Sequence, residues 1–292
     1  MENLINFKSL DEITKAGARG YSIWLIDTKG ISAIYRNGTL NYLKELGFYK
    51  KKYTTDNYLF YRKEAHVLTR YTVLEVREFV FNTIFDSEYD IQIDFGSTIT
   101  VIKSELLKEV FRKNQDSIFN HNFLTGLEDI SFNICRDNRK EAFIPFRNTV
   151  VKVTQDEVEV IAYDKFHNQV FYSTQIIQHD FTYSEDWKLS KFGAFIRNVT
   201  NNILERKNSM RSAIGYLLHR YNDISTSQAV LLYDESMSEK SKPEGGTGKG
   251  VFTQAIKAVV KGFVSINGKS IKPTSQFGYS GHVDPFLAIL TP

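Results

Sequence analysis

Apolar residues recur at two different spacings along the first 85 residues, so helices and strands are both predicted there. Thr72 and Glu75 form a capping box that should open one of the helices. Helices are predicted at residues 9–17, 39–46 and 72–84, and strands at residues 21–26, 58–62 and 67–71. This order describes a small α+β module, for which a winged helix is one possible form.

The spacing changes after residue 86. Residues 86–94 are acidic and turn-like, which suggests a boundary, and residues 98–113 have helical spacing with one apolar face. Between residues 130 and 181 apolar and polar positions alternate, which predicts an antiparallel β-rich module. Its strands are predicted at residues 130–134, 142–146, 149–153, 158–161 and 169–172.

The last third of the chain begins with helical spacing and then changes again. Residues 192–199 and 203–221 predict two helices. The continuous apolar run at residues 229–233 predicts a buried strand, and residues 251–263, which follow a glycine-rich stretch, predict a helix. A last apolar run at residues 286–290 predicts another strand.

Length and composition indicate several ordinary globular modules. The chain has 292 residues, which exceeds the usual size of one domain, and 42% of them are hydrophobic. The net charge of +3 does not by itself indicate a nucleic-acid partner, although clustered basic residues would permit one. The patterns above place the modules at residues 1–85, 86–183, 184–225 and 226–292.

Cysteine, histidine and hydropathy restrict the compartment and the chemistry. Cys135 is the only cysteine, so an intramolecular disulfide is excluded and a structural thiol is expected. The six histidines show no metal-ligand spacing, so no protein-held metal site is predicted. Because no apolar run approaches about 18 residues and no signal-peptide pattern is present, we expect a soluble cytoplasmic protein without a membrane partner.

The glycine-rich stretch has the composition of a phosphate-binding loop. Backbone N–H groups in such a loop, together with the start of the following helix, attract anions. Relative to the pattern G-x-x-x-x-G-K-[ST], Pro243 replaces the first glycine and Gly250 replaces the hydroxyl that binds Mg²⁺. A flexible turn is the alternative interpretation. The candidate nucleotide-binding residues are Gly245, Gly246, Thr247, Gly248, Lys249, Gly250 and Val251, with Lys249 reaching the outer phosphates.

Three runs together resemble a known family: residues 212–219, residues 229–235 and residues 245–252. They are similar to the helicase part of phage and mobile-element primase-helicases, the superfamily 3-like P-loop proteins. Members of that group often carry Gly-Gly-Thr-Gly-Lys-Gly, so Gly250 agrees with the family. The resemblance is specific over residues 212–271 and looser before them.

The resemblance implies a fold and a function. It implies an α+β N-terminal region followed by an incomplete α/β P-loop NTPase core of AAA+-like type. It also implies ATP and Mg²⁺ as cofactors and a homo-oligomeric ring that moves along DNA. The preceding domains would bind DNA or a replication-protein partner, in the cytoplasm of a bacterial host.

The end of the chain departs from the family pattern. A P-loop ATPase needs a second strand that ends in a pair of acids, which hold Mg²⁺ and polarise the attacking water. Residues 286–290 have the apolar character of that strand, but Thr291 and Pro292 follow them, and Asp284 is the only acid after Gly250. We therefore expect a bound triphosphate to be hardly hydrolysed, and the enzymatic status stays open.

Other residues could substitute for the missing groups. Asp234 and Glu235 follow the apolar run before the loop, and they are expected to begin a solvated loop instead of binding Mg²⁺. Thr247 and Thr253 could supply a hydroxyl to the metal, with Thr253 less well placed. Asp129 and Asp137, which flank a predicted strand, are both expected to be solvated and not catalytic.

Two functions remain in competition. The first is an ATP-binding helicase-type module of a phage or mobile-element DNA replication protein, with impaired hydrolysis. The alternative is a non-enzymatic DNA-binding or ring-assembly factor with a degenerate P-loop. A P-loop kinase, or primase chemistry within residues 1–185, has less support, because no acceptor site and no clustered carboxylates are recognisable. The basic residues that could contact DNA are Lys50, Lys51 and Lys52 on a predicted turn, and Lys257, Lys261, Lys269 and Lys272.

Two substitutions express these predictions. Lys249→Ala should abolish nucleotide binding without unfolding the domain, because Lys249 would be a ligand-facing residue. Leu231→Asp should unfold the domain, because it would place an unpaired charge in a buried strand.

Overall fold

The structure, a computed structural model, divides into two compact units between Phe132 and Asn133. It describes residues 4–7, 23–27, 29–55, 57–86, 89–94, 96, 98–186, 189–221, 225, 228–232, 247–260, 263–267 and 287–291. Both units combine helices with strands, so the chain is a mixed α+β protein. The helix predicted at residues 9–17 lies outside the described residues. In the described part of the chain, no helix has the length and apolar character needed to cross a membrane.

The first unit contains eight described strands and four helices. In chain order these are β1 (Leu4–Phe7), β2 (Trp24–Asp27), β3 (Gly30–Ile34), α1 (Arg36–Glu45), β4 (Phe48–Lys52), β5 (Tyr58–Glu64), β6 (Val67–Tyr71), α2 (Val73–Ile84), β7 (Asp90–Asp94), β8 (Ile99–Ile102), α3 (Ser104–Ile118) and α4 (His121–Leu124). β4, β5 and β6 form an antiparallel meander, and β2 pairs with β3 as a hairpin. β7 pairs with β1 in parallel and with β8 antiparallel.

Two local signals in the sequence set the bounds of helices in the first unit. Gly47 follows α1 with φ of +81°, a backbone conformation that side chains disfavour, and it ends the helix. The Thr72 capping box is formed: its hydroxyl accepts from the Glu75 N–H, and the Glu75 carboxylate accepts from the Thr72 N–H. Both helices are therefore bounded by backbone hydrogen bonding that the sequence specifies.

Three predictions in the first unit were wrong. Lys50, Lys51 and Lys52 lie in β4 and not on a turn. The turn follows β4, where the Tyr53 N–H donates to the Asn57 carbonyl (2.9 Å). Residues 86–94, predicted as a turn-like boundary, include β7. Residues 98–113, predicted as one helix, are divided between β8 and α3.

A carboxylate explains the division of that last segment. Asp90, at the start of β7, is buried and accepts from the Ser104 N–H (2.9 Å) and from the Lys103 ammonium (2.6 Å). The α3 helix therefore begins at Ser104, against a negative charge that its N-terminus favours. The hydrogen bond from Lys103 is the main reason that the pKa of Asp90 lies below its usual value.

The core of the first unit crosses the boundary that was predicted near residue 86. Its most deeply buried side chains come from helices and strands on both sides of that position. They include Leu43, Phe48, Val80, Ile91, Leu107 and Leu124. The division of the whole chain into four modules stays a prediction.

The second unit begins with strands and continues with helices. In chain order its elements are β9 (Asn133–Ile134), β10 (Ala142–Pro145), β11 (Val150–Val153), β12 (Val158–Ile161), β13 (Gln169–Tyr172), α5 (Lys191–Val199), α6 (Leu204–Leu218), α7 (Lys249–Val259), β14 (Phe263–Asn267) and β15 (Leu287–Thr291). β10, β11 and β12 form the antiparallel sheet that the alternation predicted. β13 pairs in parallel with β9, and β14 pairs in parallel with β15.

The helices of the second unit form their own apolar cluster. Phe252 and Ile256 of α7 and Val260, which directly follows it, are spaced four residues apart, and all three are buried. They pack with Leu217 of α6. The partly buried residues around this cluster are Phe195, Met210, Ile214, Leu218, Val230 and Leu232. The apolar face of α7 therefore fixes the helix in place.

Candidate phosphate-binding site

The start of α7 is where the structure places the lysine of the predicted phosphate loop. The helix begins at Lys249, two residues earlier than predicted, and ends at Val259. Gly250 and Val251 are exposed, whereas Phe252 is buried. The described candidate residues therefore form the outer end of a helix whose other end is anchored in the apolar cluster.

The backbone at this end has donors without helical partners. The first helical bond runs from the Phe252 N–H to the Gly248 carbonyl (3.0 Å). The N–H groups of Lys249, Gly250 and Val251 precede that bond, so the helix itself offers them no acceptor. In the described part of the chain no side chain caps this end, and its first turn contains no acid. Within the described residues, the positive end of the helix dipole therefore has no acid in its own first turn.

Lys249 adds to this excess of positive charge. A cation at a helix N-terminus opposes the dipole, an arrangement that usually destabilises a helix by a few tenths of a kcal/mol to about 1 kcal/mol. Lys249 as a whole residue is partly buried, and its ammonium donates to the Thr247 hydroxyl at 3.0 Å. An anion at this place could accept hydrogen bonds from the backbone N–H groups and from the Lys249 ammonium.

The described residues do not fit a magnesium ion. The Thr247 hydroxyl accepts from Lys249, and the Thr253 hydroxyl donates to the Gly250 carbonyl at 3.0 Å. Among the residues that the structure describes, no three His, Cys, Asp or Glu side chains form a group that could hold a metal ion. Because Mg²⁺ prefers carboxylate oxygens, we derive no step through it.

Gly248 has a packing reason to be glycine. Its φ is +91°, a conformation that a residue with a side chain rarely adopts. A Cβ atom there would lie 2.9 Å from Cε2 of Phe195 and 3.3 Å from Cγ1 of Val199, both on α5. Gly250 differs, because a Cβ added there would have no atom within 4 Å. Close packing of α7 against α5 therefore accounts for Gly248 whether or not phosphate binds.

The segment before the loop contradicts the sequence prediction. Residues 229–233 were predicted as a buried strand, but the described part of that run forms no strand, and Leu231 is 82% exposed. The Tyr216 hydroxyl bonds both the N–H and the carbonyl of Gln228, which holds the segment against α6. Val230 and Leu232 then pack on the apolar cluster. Within the described part of this apolar run, Val230 and Leu232 are partly buried, whereas Ala229 and Leu231 are exposed.

The strand predicted after α7 is present. The apolar run at residues 286–290 corresponds to β15, which pairs in parallel with β14. β14 itself was missed, because Phe263 was assigned to the end of the predicted helix. Parallel neighbours need a connecting segment that crosses over the sheet, as in α/β folds. This pair agrees with part of an α/β arrangement.

No protein-family model matches the chain, and no curated protein matches it either.

Several predicted residues lie outside the described part of the chain. They are Asp234, Glu235, Pro243, Gly245, Gly246, Lys261, Lys269, Lys272 and Asp284. Of the seven candidate nucleotide-binding residues, the structure therefore brings together Thr247, Gly248, Lys249, Gly250 and Val251. It neither supports nor contradicts the positions of the other two.

Two residues that the sequence analysis weighed, Asp137 and Cys135, have structural roles. The Asp137 carboxylate accepts from the backbone N–H groups of Phe143 (2.9 Å) and Arg220 (2.8 Å), which ties the end of α6 to the sheet. Cys135 is buried, and burial is the main reason that its pKa rises to about 12. It is the structural thiol that was expected, since a thiolate would be strongly disfavoured there.

The sequence did not reveal two features of this site. The contact between Gly248 and Phe195 joins residues more than fifty positions apart, and no local pattern encodes it. The hydrogen bond between Lys249 and Thr247 depends on the loop conformation.

Proposed function

We propose that residues 245–251 bind the phosphates of a nucleoside triphosphate. The protein would then be an ATP-binding, helicase-type module of a phage or mobile-element DNA replication protein. One observation supports this proposal most. The start of α7 presents backbone N–H groups without helical partners, no acid in its first turn, and Lys249 at its first position. A polyphosphate is the anion that this arrangement would stabilise best, because it could accept from the backbone and the ammonium together.

The described residues support binding better than hydrolysis. They supply donors for phosphate oxygens, but they supply no group that would orient or deprotonate an attacking water. We therefore propose that the nucleotide is held and turned over slowly or not at all. Assembly into a ring, movement along DNA, contact with a replication partner and a cytoplasmic location belong to the same proposal, and they rest on the sequence resemblance alone.

A matched pair of lysines tests nucleotide binding. Lys249→Ala and Lys257→Ala each remove one positive charge from α7, the first at its start and the second in its last turn. We expect the Kd for a fluorescent ATP analogue to rise about tenfold or more in Lys249→Ala, which corresponds to about 1.4 kcal/mol. Lys257→Ala should bind like the parent. Equal affinity in the parent and Lys249→Ala would refute the proposal.

Two further measurements complete this test. Titration with and without Mg²⁺ should show that binding persists without the metal, since the proposed contacts are N–H groups and an ammonium. A phosphate-release assay on the parent should give a rate close to that of a blank. Rapid release that Lys249→Ala abolishes would show that catalytic groups lie among the residues that the structure does not describe.

The non-enzymatic DNA-binding function is the second candidate, and the contacts of Gly248 and Leu231 favour it. Gly248 is explained by packing, and the strand that should precede a phosphate loop is not formed by residues 228–232. If this alternative is correct, the effects of the two lysine variants on binding should be exchanged. Lys257→Ala should weaken DNA binding measured by fluorescence anisotropy, with a steep salt dependence, and Lys249→Ala should leave ATP-analogue binding unchanged.

A further inference from the structure

Among the described residues, the antiparallel sheet of the second unit has one edge strand that pairs on one side only. In the order β10–β11–β12, β12 is the last strand, and within the described ranges it pairs with β11 alone. An edge strand exposes a row of backbone N–H and C=O groups that can pair with another chain. The edge formed by β12 is therefore a candidate interaction surface.

The opposite edge of the same sheet is already occupied. β10 ends at Pro145, whose nitrogen carries no hydrogen and cannot donate. The Pro145 carbonyl accepts from the Ile177 N–H at 2.8 Å, and Phe146 forms a parallel bridge with Ile177. Addition of a strand is thus directed to β12.

The β12 edge is held in an extended form at both ends. At its start, the Thr154 N–H donates to the Glu157 carbonyl (2.9 Å), and the Glu157 N–H donates to the Thr154 hydroxyl (3.1 Å). At its end, the Thr149 hydroxyl donates to the Ile161 carbonyl (2.8 Å). A strand fixed in this way loses little conformational freedom when a partner binds.

The register shows which backbone groups point outward. Thr154 and Glu157 form a hydrogen-bonded closing pair, and antiparallel ladders alternate between bonded and non-bonded pairs. Val158 opposite Val153, and Val160 opposite Val151, are therefore non-bonded pairs. The N–H and C=O groups of Val158 and Val160 consequently face away from β11, toward the open edge.

The side chains of β12 add an apolar ledge to this edge. Val158 is 63% exposed and Val160 is 51% exposed, and the two lie on the same face of the strand. Their cross-strand neighbour Val151 is buried. The apolar face of the sheet is therefore buried at Val151 and exposed at the edge strand, where it ends at Val158 and Val160.

The charge along this edge is negative. Asp156, Glu157 and Glu159 are exposed, and Glu159 lies directly opposite Lys152. The Lys152 ammonium contacts the Glu141 carboxylate at 2.6 Å, and Lys140 also lies near Glu141, so the four acids of this region outnumber its two bases. A partner strand that carries basic residues would balance the excess.

We propose that β12 binds an extended basic segment of a partner protein by strand addition. The segment would alternate, with Lys or Arg beside Glu157 and Glu159 and apolar side chains beside Val158 and Val160. A second copy of this chain is a poorer occupant, because antiparallel pairing of β12 with itself around Glu159 would set like charges opposite each other. This inference is independent of nucleotide binding.

A labelled peptide with the repeat Lys-Val-Lys-Val-Lys-Val tests the proposal by fluorescence anisotropy against the full chain. Its control has the same composition in two blocks, three lysines followed by three valines. We expect the alternating peptide to bind and the block peptide to bind at least about tenfold more weakly. Equal binding of the two peptides would mean charge attraction without strand pairing, and the proposal would be wrong.

Variants of the chain separate the edge from general charge. Glu157→Lys combined with Glu159→Lys should weaken the alternating peptide about tenfold or more, since each cross-strand pair changes from attraction to repulsion. The matched control is Glu185→Lys combined with Asp186→Lys, which makes the same change in charge at exposed residues of the same unit and should bind like the parent. Equal loss in both double variants would contradict the proposal.

A backbone variant tests strand pairing directly. Val160→Pro removes an outward N–H, and proline is tolerated on edge strands where that group faces solvent. It should keep the circular dichroism spectrum of the parent and lose the peptide. If the parent self-associates in sedimentation and Val160→Pro does not, the occupant is a second copy, and the basic partner is refuted.

Discussion

The two glycines at the start of α7 should respond in opposite ways to the same added methyl group. Gly248→Ala places a Cβ 2.9 Å from the Phe195 ring, at a backbone φ of +91°. A left-handed conformation costs a residue with a side chain about 1–2 kcal/mol, and overpacking typically costs about 1–3 kcal/mol. Together they predict a loss of about 2–5 kcal/mol in the free energy of unfolding, a large part of the usual total of about 5–15 kcal/mol.

Gly250→Ala is the control because it makes the same chemical change two residues away. Its Cβ meets no atom within 4 Å, and Gly250 is already in the helix. Alanine favours a helix over glycine by about 1 kcal/mol in an interior turn, and by less near the end. We therefore expect Gly250→Ala to be as stable as the parent or slightly more stable.

Urea unfolding followed by far-ultraviolet circular dichroism measures both variants. The midpoint should fall in Gly248→Ala and stay or rise in Gly250→Ala, with similar slopes. If Gly248→Ala lies within about 0.5 kcal/mol of the parent, the packing explanation of this glycine is wrong. The glycine would then need another reason, and close approach of a phosphate to the backbone would be the first to consider.

Two further predictions follow from burial and charge. Leu231→Asp, which the sequence predicted would unfold the domain, should change the free energy of unfolding by less than about 0.5 kcal/mol in the same urea assay, because Leu231 is 82% exposed. A large loss in the free energy of unfolding would show that Leu231 is buried in the folded protein. Asp90→Asn removes a carboxylate whose pKa is lowered in the folded state, mainly by its hydrogen bond from Lys103. Its stabilisation is present above the unfolded pKa of about 3.9 and is lost as the pH falls through the folded pKa, so Asp90→Asn should weaken the dependence of stability on pH between about pH 5 and pH 2. An unchanged dependence would refute the role of this ion pair.

Where one periodicity governed a segment, the sequence predicted the structure well. Residues 158–161 and 169–172 are strands with the predicted bounds, and α2 begins after the Thr72 capping box as expected. In these segments the local preference and the tertiary burial agree, so a pattern read along the chain is enough.

The failures occur where the partner of a residue is distant in sequence. The run at residues 229–233 is apolar throughout, but its surroundings are helices that accept alternate residues, and Leu231 stays outside. Residues 99–102 were assigned to a helix because their pairing with β7 cannot be seen locally. Apolar content alone does not decide between a strand, a helix and a segment laid on a helical surface.

The candidate site shows the same division. A lysine in the loop just before a helix was predicted from the glycine-rich stretch, and the structure has Lys249 as the first residue of that helix, two residues earlier than predicted. The packing of Gly248 could not be predicted, because it depends on Phe195 from another helix. The family resemblance and the function that it implies stay predictions.

The start of α7 also has a practical consequence for anyone who handles this protein. If phosphates bind at the start of α7 as proposed, polyvalent buffer ions would associate there as well, because the backbone donors and the Lys249 ammonium would contact any such anion in the same way. Sulfate or phosphate in a purification step would raise the apparent melting temperature and would compete in a titration. Chloride or another monovalent salt is therefore the appropriate reference medium, and the choice of buffer becomes a variable to report beside every affinity.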